Sequence, residues 1–200
     1  QKINKSDILS IFAGLRPLAA PEGEGQATKE ISRHHKILIS VTGLITITGG
    51  KWTTYRKIAE DAVNNAIMVG NLEQRPCVTE QLLTHSYARN VDFNNPLSVY
   101  GADMKKVMEI EQEHEKYQGW ISEILQIRRS QVIWAIREEM ARTIEDVLAR
   151  RTRALFLDAR ESIRIAPEVG KLMGDALGYP PAWISEQLEK YNEVAKNYYI

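Results

Sequence analysis

Short apolar runs rich in β-branched residues dominate the first third of the chain and predict strands. Residues 8–13 are apolar and β-prone, and an exposed loop is expected over residues 19–30, where Pro, Gly and Glu accumulate. Residues 36–41 and 44–48 form two further runs, and Thr42-Gly43 between them has the composition of a tight turn. These last two runs therefore predict a β-hairpin.

A helix is predicted directly after the second strand of this hairpin. Gly49-Gly50 end the strand, and apolar residues then recur with helical spacing until Gly70 and Asn71. Residues 44–70 are therefore expected to form a strand, a glycine turn and a helix. In this arrangement the N-terminus of the helix points at whatever lies beyond the end of the strand.

From residue 71 onward, the helical period replaces almost all β-type alternation. Helices are predicted over residues 102–117, 130–138, 143–150, 156–177 and 181–197, with a shorter one over Glu80–Ala88. Thr143 resembles an N-cap, and Pro167 is expected to break or kink the helix that contains it. The whole pattern predicts an α+β fold with a β-rich beginning and a helical remainder.

Composition and charge narrow the function classes. The 200 residues carry 26 basic and 26 acidic side chains, which argues against a general nucleic-acid or anionic-membrane binder. The one cysteine, Cys77, excludes an intrachain disulfide and a cysteine-rich metal site. No apolar run reaches the roughly 18–20 residues of a membrane span. The chain starts without an initiator methionine or the shape of a signal peptide, so we expect a fragment.

The segment 44–54 has the spacing that is most informative about chemistry. Gly49-Gly50 allow close approach of the backbone to a ligand, while the unbonded amides at the helix start and Lys51 supply positive charge. An anionic or electron-rich group suits this arrangement, and a reduced flavin is one such group. The alternative is that the glycines only form a turn and that Thr53 or Thr54 is an ordinary N-cap.

Two arginines and two histidines near this segment each allow more than one interpretation. Arg16 and Arg33 suit bidentate binding of a phosphate or carboxylate, or else form surface ion pairs. His34 and His35 are adjacent on a predicted strand and face opposite ways, so we do not expect them to share a metal ion.

Several motifs together resemble the carboxy-terminal part of the FAD-dependent, quinone-linked glycerol-3-phosphate dehydrogenases. In chain order they are AGLRPL (13–18), ISRHH (31–35), GLITITGGKWTTYRKIAEDAVNNAI (43–67), IREEMARTIEDVLARRTRALFLDA (136–159) and LMG (172–174). The specificity comes from the combination of GGKWTTYR with REE-x-AR-T-x-EDVLARRTR, because GGK or RRTR alone is common. The resemblance covers roughly residues 6–190.

The resemblance implies a fold and a set of site residues. Residues 1–70 would be the carboxy-terminal end of an FAD- and substrate-binding domain, and residues 71–200 an all-α carboxy-terminal domain. Substrate binding is implied for Arg16, Arg33 and Lys51, and flavin contacts for Gly50, Lys51, Trp52, Thr53 and Thr54. The general base of the family has no counterpart here, so no catalytic residue and no metal ligand is assigned. FAD itself is expected to be held mainly by the part of the enzyme that this chain lacks.

The activity implied is the oxidation of glycerol 3-phosphate to dihydroxyacetone phosphate, with hydride transfer to FAD and electron transfer to a quinone. The expected partners are glycerol 3-phosphate, quinone and a membrane surface, but not nucleic acid, and a homodimer is left open. The expected location is the cytoplasmic side of a bacterial inner membrane, peripherally bound, or the mitochondrial inner membrane. The isolated chain is expected to be inactive.

Three alternatives stay open at this point. The chain could belong to a glycerophosphate oxidase that uses O2, since that family shares much of the pattern. It could be a helical interaction module without catalysis. It could also bind phosphate or nucleic acid through the arginines at 128–129 and 150–153, although neighbouring acidic residues favour internal ion pairs there.

Overall fold

The computed structural model describes residues 3–15 and 34–200, and the chain divides into two compact units. The hairpin unit consists of the described residues within Gly14–Thr84. The helical unit consists of the described residues up to Ala13 together with His85–Ile200. The expected domain boundary after residue 70 stays a prediction for the longer protein.

The hairpin unit has the strand–turn–strand–helix order that the sequence predicts. Strands β1 (His35–Ile39) and β2 (Ile45–Gly49) pair antiparallel, with Ile37 opposite Ile47. The turn is closed by Ser40, whose hydroxyl accepts a hydrogen bond from the amide of Leu44 at 3.0 Å. A short 3-10 turn, Trp52–Thr54, leads into helix α1 (Tyr55–Gly70), which ends at Asn71 in the left-handed conformation.

The segment that follows α1 is not helical, so the predicted helix over Glu80–Ala88 is wrong. Its residues are held by tertiary contacts instead of helical hydrogen bonds. The Arg56 guanidinium on α1 donates to the hydroxyl of Thr79 at 3.3 Å and to the carboxylate of Glu80 at 3.2 Å.

The helical unit has five α-helices among its described residues: α2 (Met104–Glu113), α3 (Arg129–Arg137), α4 (Ala154–Leu157), α5 (Ala159–Leu177) and α6 (Pro181–Ala195). Their apolar faces form one core, in which Ile133, Leu148, Leu155, Ile165, Met173 and Tyr191 are fully buried. All buried apolar side chains of the described residues belong to this unit, from Leu97 to Ala195.

Two helix predictions need correction in detail. Of the predicted break or kink at Pro167, the break does not occur, because helix α5 runs through this residue. Helix α5 buries ten residues, and this packing outweighs the one lost backbone hydrogen bond. The segment predicted as an α-helix over residues 143–150 forms a π-helical turn, Asp146–Arg151. Thr143 does cap it as predicted, because its hydroxyl accepts from the Asp146 amide at 3.1 Å.

Two features of the helical unit were not predicted. A second hairpin joins β3 (Trp120–Ser122) to β4 (Ile127–Arg128), and the Arg128 guanidinium is held by Glu111 of α2 at 2.5 and 2.7 Å. Residues 8–13 do not form a strand but run along the helices. The amide of Ile11 donates to the carbonyl of Tyr198 at 2.7 Å. Among the described helices, none has the length and apolar character to cross a bilayer.

Candidate functional site

The turn between β2 and α1 needs glycine for reasons internal to the fold. Gly49 and Gly50 have φ of 75° and 90°, in the left-handed region that other residues rarely adopt. A Cβ on Gly50 would lie 2.7 Å from Ile58 Cδ1 and 3.3 Å from His35 Cβ. Side chains from β1 and α1 therefore close over Gly50, and its missing Cβ does not by itself indicate a ligand.

The residues at the helix start beyond this turn do not cap it with their own side chains. The Lys51 carbonyl accepts from the Thr54 amide at 3.0 Å and from the Thr54 hydroxyl at 2.9 Å. The Thr54 hydroxyl accepts no hydrogen bond from the first amides of α1, and the Lys51 side chain does not cap the 3-10 turn either. Thr54 thus stands at the N-cap position of α1, as one interpretation expected, but its side chain leaves the first amides of the helix and their partial positive charge uncapped.

A small cleft of about 220 Å³ lies against this helix start. It is lined by His34, His35, Lys51, Thr54 and Lys57. Among the described residues, the lining contains two lysines and no carboxylate, which suits an anionic group.

The two lysines of the cleft differ in their partners. Lys57 is ion-paired with Asp61 at 2.9 Å, and this carboxylate also contacts His35 Nε2 at 3.0 Å. The Lys57 ammonium, with a smaller contribution from His35, holds the pKa of Asp61 below its usual value, and Asp61 raises the pKa of Lys57. Lys51 is exposed and has no ion pair within the described part of the chain.

Trp52 and Tyr55 form an exposed aromatic surface beside the cleft. Their rings stack with centroids 5.7 Å apart, and Trp52 is 87% exposed. An indole this exposed contributes nothing to a core of the chain itself, so this surface is open to a ligand or to another segment of protein.

The structure brings together part of the predicted site. Lys51 and Thr54 line the cleft, while Gly50, Trp52 and Thr53 belong to the turn next to it. Arg16 and Arg33 lie outside the described residues. The sequence analysis missed His34, His35 and Lys57. The hairpin register is what brings His35 to the site, because it pairs with Gly49 at the end of β2.

Residues 40–183 match the family described as the C-terminal domain of alpha-glycerophosphate oxidase. This match covers more than half of the chain. The chain belongs to this family. The prediction that it resembles the carboxy-terminal part of the glycerol-3-phosphate-oxidising flavoenzymes is confirmed at this level.

Similar proteins include several glycerol-3-phosphate dehydrogenases. A Caenorhabditis elegans protein named probable mitochondrial glycerol-3-phosphate dehydrogenase is 34% identical over 94% of this chain and 29% of its own length. The human mitochondrial glycerol-3-phosphate dehydrogenase is 32% identical over 94% of this chain and 28% of its own length. The Arabidopsis thaliana protein named mitochondrial glycerol-3-phosphate dehydrogenase is 29% identical over 98% of this chain and 36% of its own length. The chain thus spans about a third of the length of these relatives.

The turn of this alpha-glycerophosphate oxidase C-terminal domain has features that fit a flavin. The uncapped start of α1 offers partial positive charge to an electron-rich ring edge, and Trp52 offers an exposed aromatic face. Lys51 and Thr54, which line the cleft, belong to the same turn. These residues can line one side of a flavin site, while the described residues contain no βαβ unit that could hold a dinucleotide.

Proposed function

We propose that this chain is the carboxy-terminal portion of an FAD-dependent glycerol-3-phosphate dehydrogenase that oxidises glycerol 3-phosphate to dihydroxyacetone phosphate. The family match and the names of three similar proteins support this assignment. The observation that carries it is the cationic cleft at the start of α1, where Lys51 stands without a carboxylate partner among the described residues.

Lys51 is the residue that we assign to the substrate phosphate. A dianionic phosphate entering the cleft would meet the Lys51 ammonium and the positive end of α1 together. Lys57 would add to the field without direct contact, because Asp61 already holds its ammonium. This fixed charge would orient the secondary alcohol carbon of the substrate before reaction. Arg16 and Arg33 remain further candidates for binding the same phosphate.

FAD, when bound to the longer protein, would accept the hydride from the secondary alcohol. The contribution of this chain would be to line one side of its ring. Gly50, Trp52, Thr53 and Thr54 would supply the backbone and the aromatic face of that side, while the uncapped amides would favour negative charge there. The general base and the main cofactor-binding domain would come from the amino-terminal portion.

Exposed apolar surface supports the need for that amino-terminal portion. Many apolar side chains of the hairpin unit are more than two-fifths exposed, among them Leu38, Val41, Leu44, Trp52, Val63 and Met68. A unit of this size that buries so little apolar surface is not expected to be stable or active alone. In the longer protein, the amino-terminal portion would cover this surface.

The electron acceptor, location and assembly are finer parts of the proposal. We propose a membrane quinone as acceptor and peripheral attachment to the inner membrane. The names of the similar proteins favour mitochondria over a bacterial membrane. A homodimer is a further possibility for the longer protein.

Absorbance and turnover measurements test the proposal. The purified 200-residue chain, mixed with FAD and passed through a desalting column, should stay colourless and should not reduce a dye with glycerol 3-phosphate. The longer protein should be yellow and should reduce both the dye and a short-chain quinone. A longer protein that is inactive on glycerol 3-phosphate would contradict the assignment. Faster oxidation by O2 than by quinone would instead favour an oxidase.

A further inference from the structure

A second, larger cleft lies within the helical unit. It has a volume of about 590 Å³, within the range of about 300–1,000 Å³ that is usual for sites of small molecules. Six segments of the helical unit meet there: the amino-terminal segment, the 3-10 segment Pro96–Asp103, the β3–β4 turn, the start of α3, the chain just after α3 and the chain around α4.

Backbone strain concentrates around this cleft. Gln126 and Arg153 line it, with φ of 53° and 58°, and Met140, with φ of 57°, directly follows the lining residue Glu139. The π-helical turn Asp146–Arg151 also ends at the cleft. Left-handed non-glycine residues and π-helical turns cost free energy, and they occur preferentially at binding sites. This clustering is independent of the cleft's size and points to a ligand.

One wall of the cleft is apolar and extends to the surface. Phe12 packs edge-to-face on Phe156 with ring centroids 5.0 Å apart. At the mouth, Phe12, Val99 and Leu157 are 68%, 73% and 55% exposed. Three exposed apolar side chains around one opening favour a ligand with a long apolar part.

The lining of the cleft also offers a positive charge that has no acidic partner among the described residues. Arg151 donates through Nε and Nη2 to the Glu139 carbonyl at 3.0 and 2.5 Å, and the Glu139 carboxylate is 4.0 Å from the same guanidinium. Burial raises the pKa of the Glu139 carboxyl above its ordinary value, with Arg151 opposing the shift. Arg153 is exposed, lines the cleft and has no carboxylate partner in the part of the chain that is described.

We propose that this cleft binds a long-chain monoanion, with its head on the Arg153 guanidinium and its apolar chain between Phe12, Val99 and Leu157. A single negative charge matches the single uncommitted cation, since Glu139 already balances Arg151. The shared chemistry is an acyl or alkyl chain that ends in one anionic group. Its source is either a free fatty acid or an anionic phospholipid of a bilayer. The proposal is independent of the substrate site on the hairpin unit.

Matched ligands test the head and the chain separately. Calorimetric titration of the 200-residue chain should show saturable binding of dodecanoate and no binding of acetate, which lacks the apolar chain. Dodecyltrimethylammonium, which has the same chain and the opposite charge, should bind at least about tenfold more weakly. No saturable binding of dodecanoate, or equal binding of the cationic ligand, would overturn the proposal.

Variants locate the binding. Arg153→Asn removes the charge and keeps a residue that tolerates positive φ. It should weaken dodecanoate binding about tenfold or more, because a charge-assisted hydrogen bond is lost. The control is Arg150→Asn, since Arg150 is already paired with Glu145 at 2.7 Å and lies outside the cleft lining. Loss of affinity in Arg150→Asn but not in Arg153→Asn would refute the assignment.

A vesicle assay distinguishes the two sources. Neutral phosphatidylcholine vesicles, with and without an anionic phospholipid, are sedimented with the wild-type chain and the Arg153→Asn variant. Arg153-dependent cosedimentation with the anionic vesicles alone would identify a bilayer lipid as the source. Dodecanoate binding without cosedimentation would identify the free fatty acid. The proposal fails if neither probe depends on Arg153.

Discussion

Lys51 and Lys57 line the same cleft, but only Lys57 has an acidic partner among the described residues. The Lys57 ammonium is 2.9 Å from the Asp61 carboxylate, which contacts His35 as well. Lys51 lines the same cleft without such a partner among the described residues. A lysine that is already paired gains less from an incoming anion than a free one, because its own carboxylate competes. We therefore expect replacement of Lys51 to weaken the binding of a phosphate more than replacement of Lys57 does.

Gly50 should be intolerant of a side chain. Gly50→Ala forces a Cβ into Ile58 and His35 and keeps φ at 90°, so we expect a loss of about 1–3 kcal/mol in local stability. Hydrogen exchange of the α1 amides should speed up accordingly. Gly14→Ala is the control, because a Cβ there meets no described atom within 4 Å. Unchanged exchange in Gly50→Ala would show that the turn can rearrange at no cost.

Elements built from local patterns could be predicted from the sequence, and elements built from distant contacts could not. The hairpin strands and α1 were predicted to within about two residues, because alternation, glycines and helical spacing all lie inside the segment. The β3–β4 hairpin has strands of three and two residues, too short for a period to show, and it depends on the Arg128–Glu111 contact. The predicted helix over Glu80–Ala88 failed because Arg56 and Asp103 hold that segment in another conformation.

Asp103 joins a loop to the start of α2, and this contact should be sensitive to acid. Its buried carboxylate contacts Lys106 Nζ at 2.7 Å, the Ser86 hydroxyl, and His85 Nε2 at 2.9 Å. The bonds from Lys106 and Ser86 lower the pKa of Asp103 from 3.8 to about 2. Because the folded pKa is lower than the unfolded one, the carboxylate stabilises the fold above pH 3.8, and this stabilisation is lost as the pH falls towards about 2.

Thermal unfolding followed by the helical circular dichroism signal checks this expectation. Asp103→Asn should unfold at a lower temperature than the wild type at pH 7, and the difference should shrink as the pH is lowered through that window. Asp175→Asn is the control, since its half-exposed carboxylate has one longer contact, 3.6 Å to Lys116. A difference that stays constant with pH would show that the Asp103 carboxylate is not the stabilising group.

At the scale of the whole molecule, the two units differ in how complete they are. The helical unit contains the entire buried apolar core of the described residues, while the hairpin unit leaves most of its large apolar side chains exposed.

The candidate site could be predicted only in part, because some of its residues are neighbours in the sequence and others are not. Lys51 and Thr54 are adjacent to the glycine turn in sequence, whereas His34, His35 and Lys57 join them only through the hairpin register and the first turn of α1.

Hydrogen exchange should show the difference between the units. In the 200-residue chain, amides of β1, β2 and α1 should exchange much faster than those of α5, because few buried contacts protect them. In the longer protein, the first group should become protected while α5 stays unchanged. Equal protection of the hairpin unit in both proteins would argue against a covering amino-terminal portion.

Substrate discrimination by the Lys51→Gln variant of the longer enzyme tests the central claim most directly. Steady-state kinetics with a dye acceptor would be measured for glycerol 3-phosphate and for glycerol, which lacks the phosphate, with Lys105→Gln as an exposed-lysine control. We expect kcat/KM for glycerol 3-phosphate to fall about tenfold or more, while kcat/KM for glycerol stays unchanged. Equal losses for both substrates, or no loss for either, would contradict the assignment of Lys51 to the substrate phosphate.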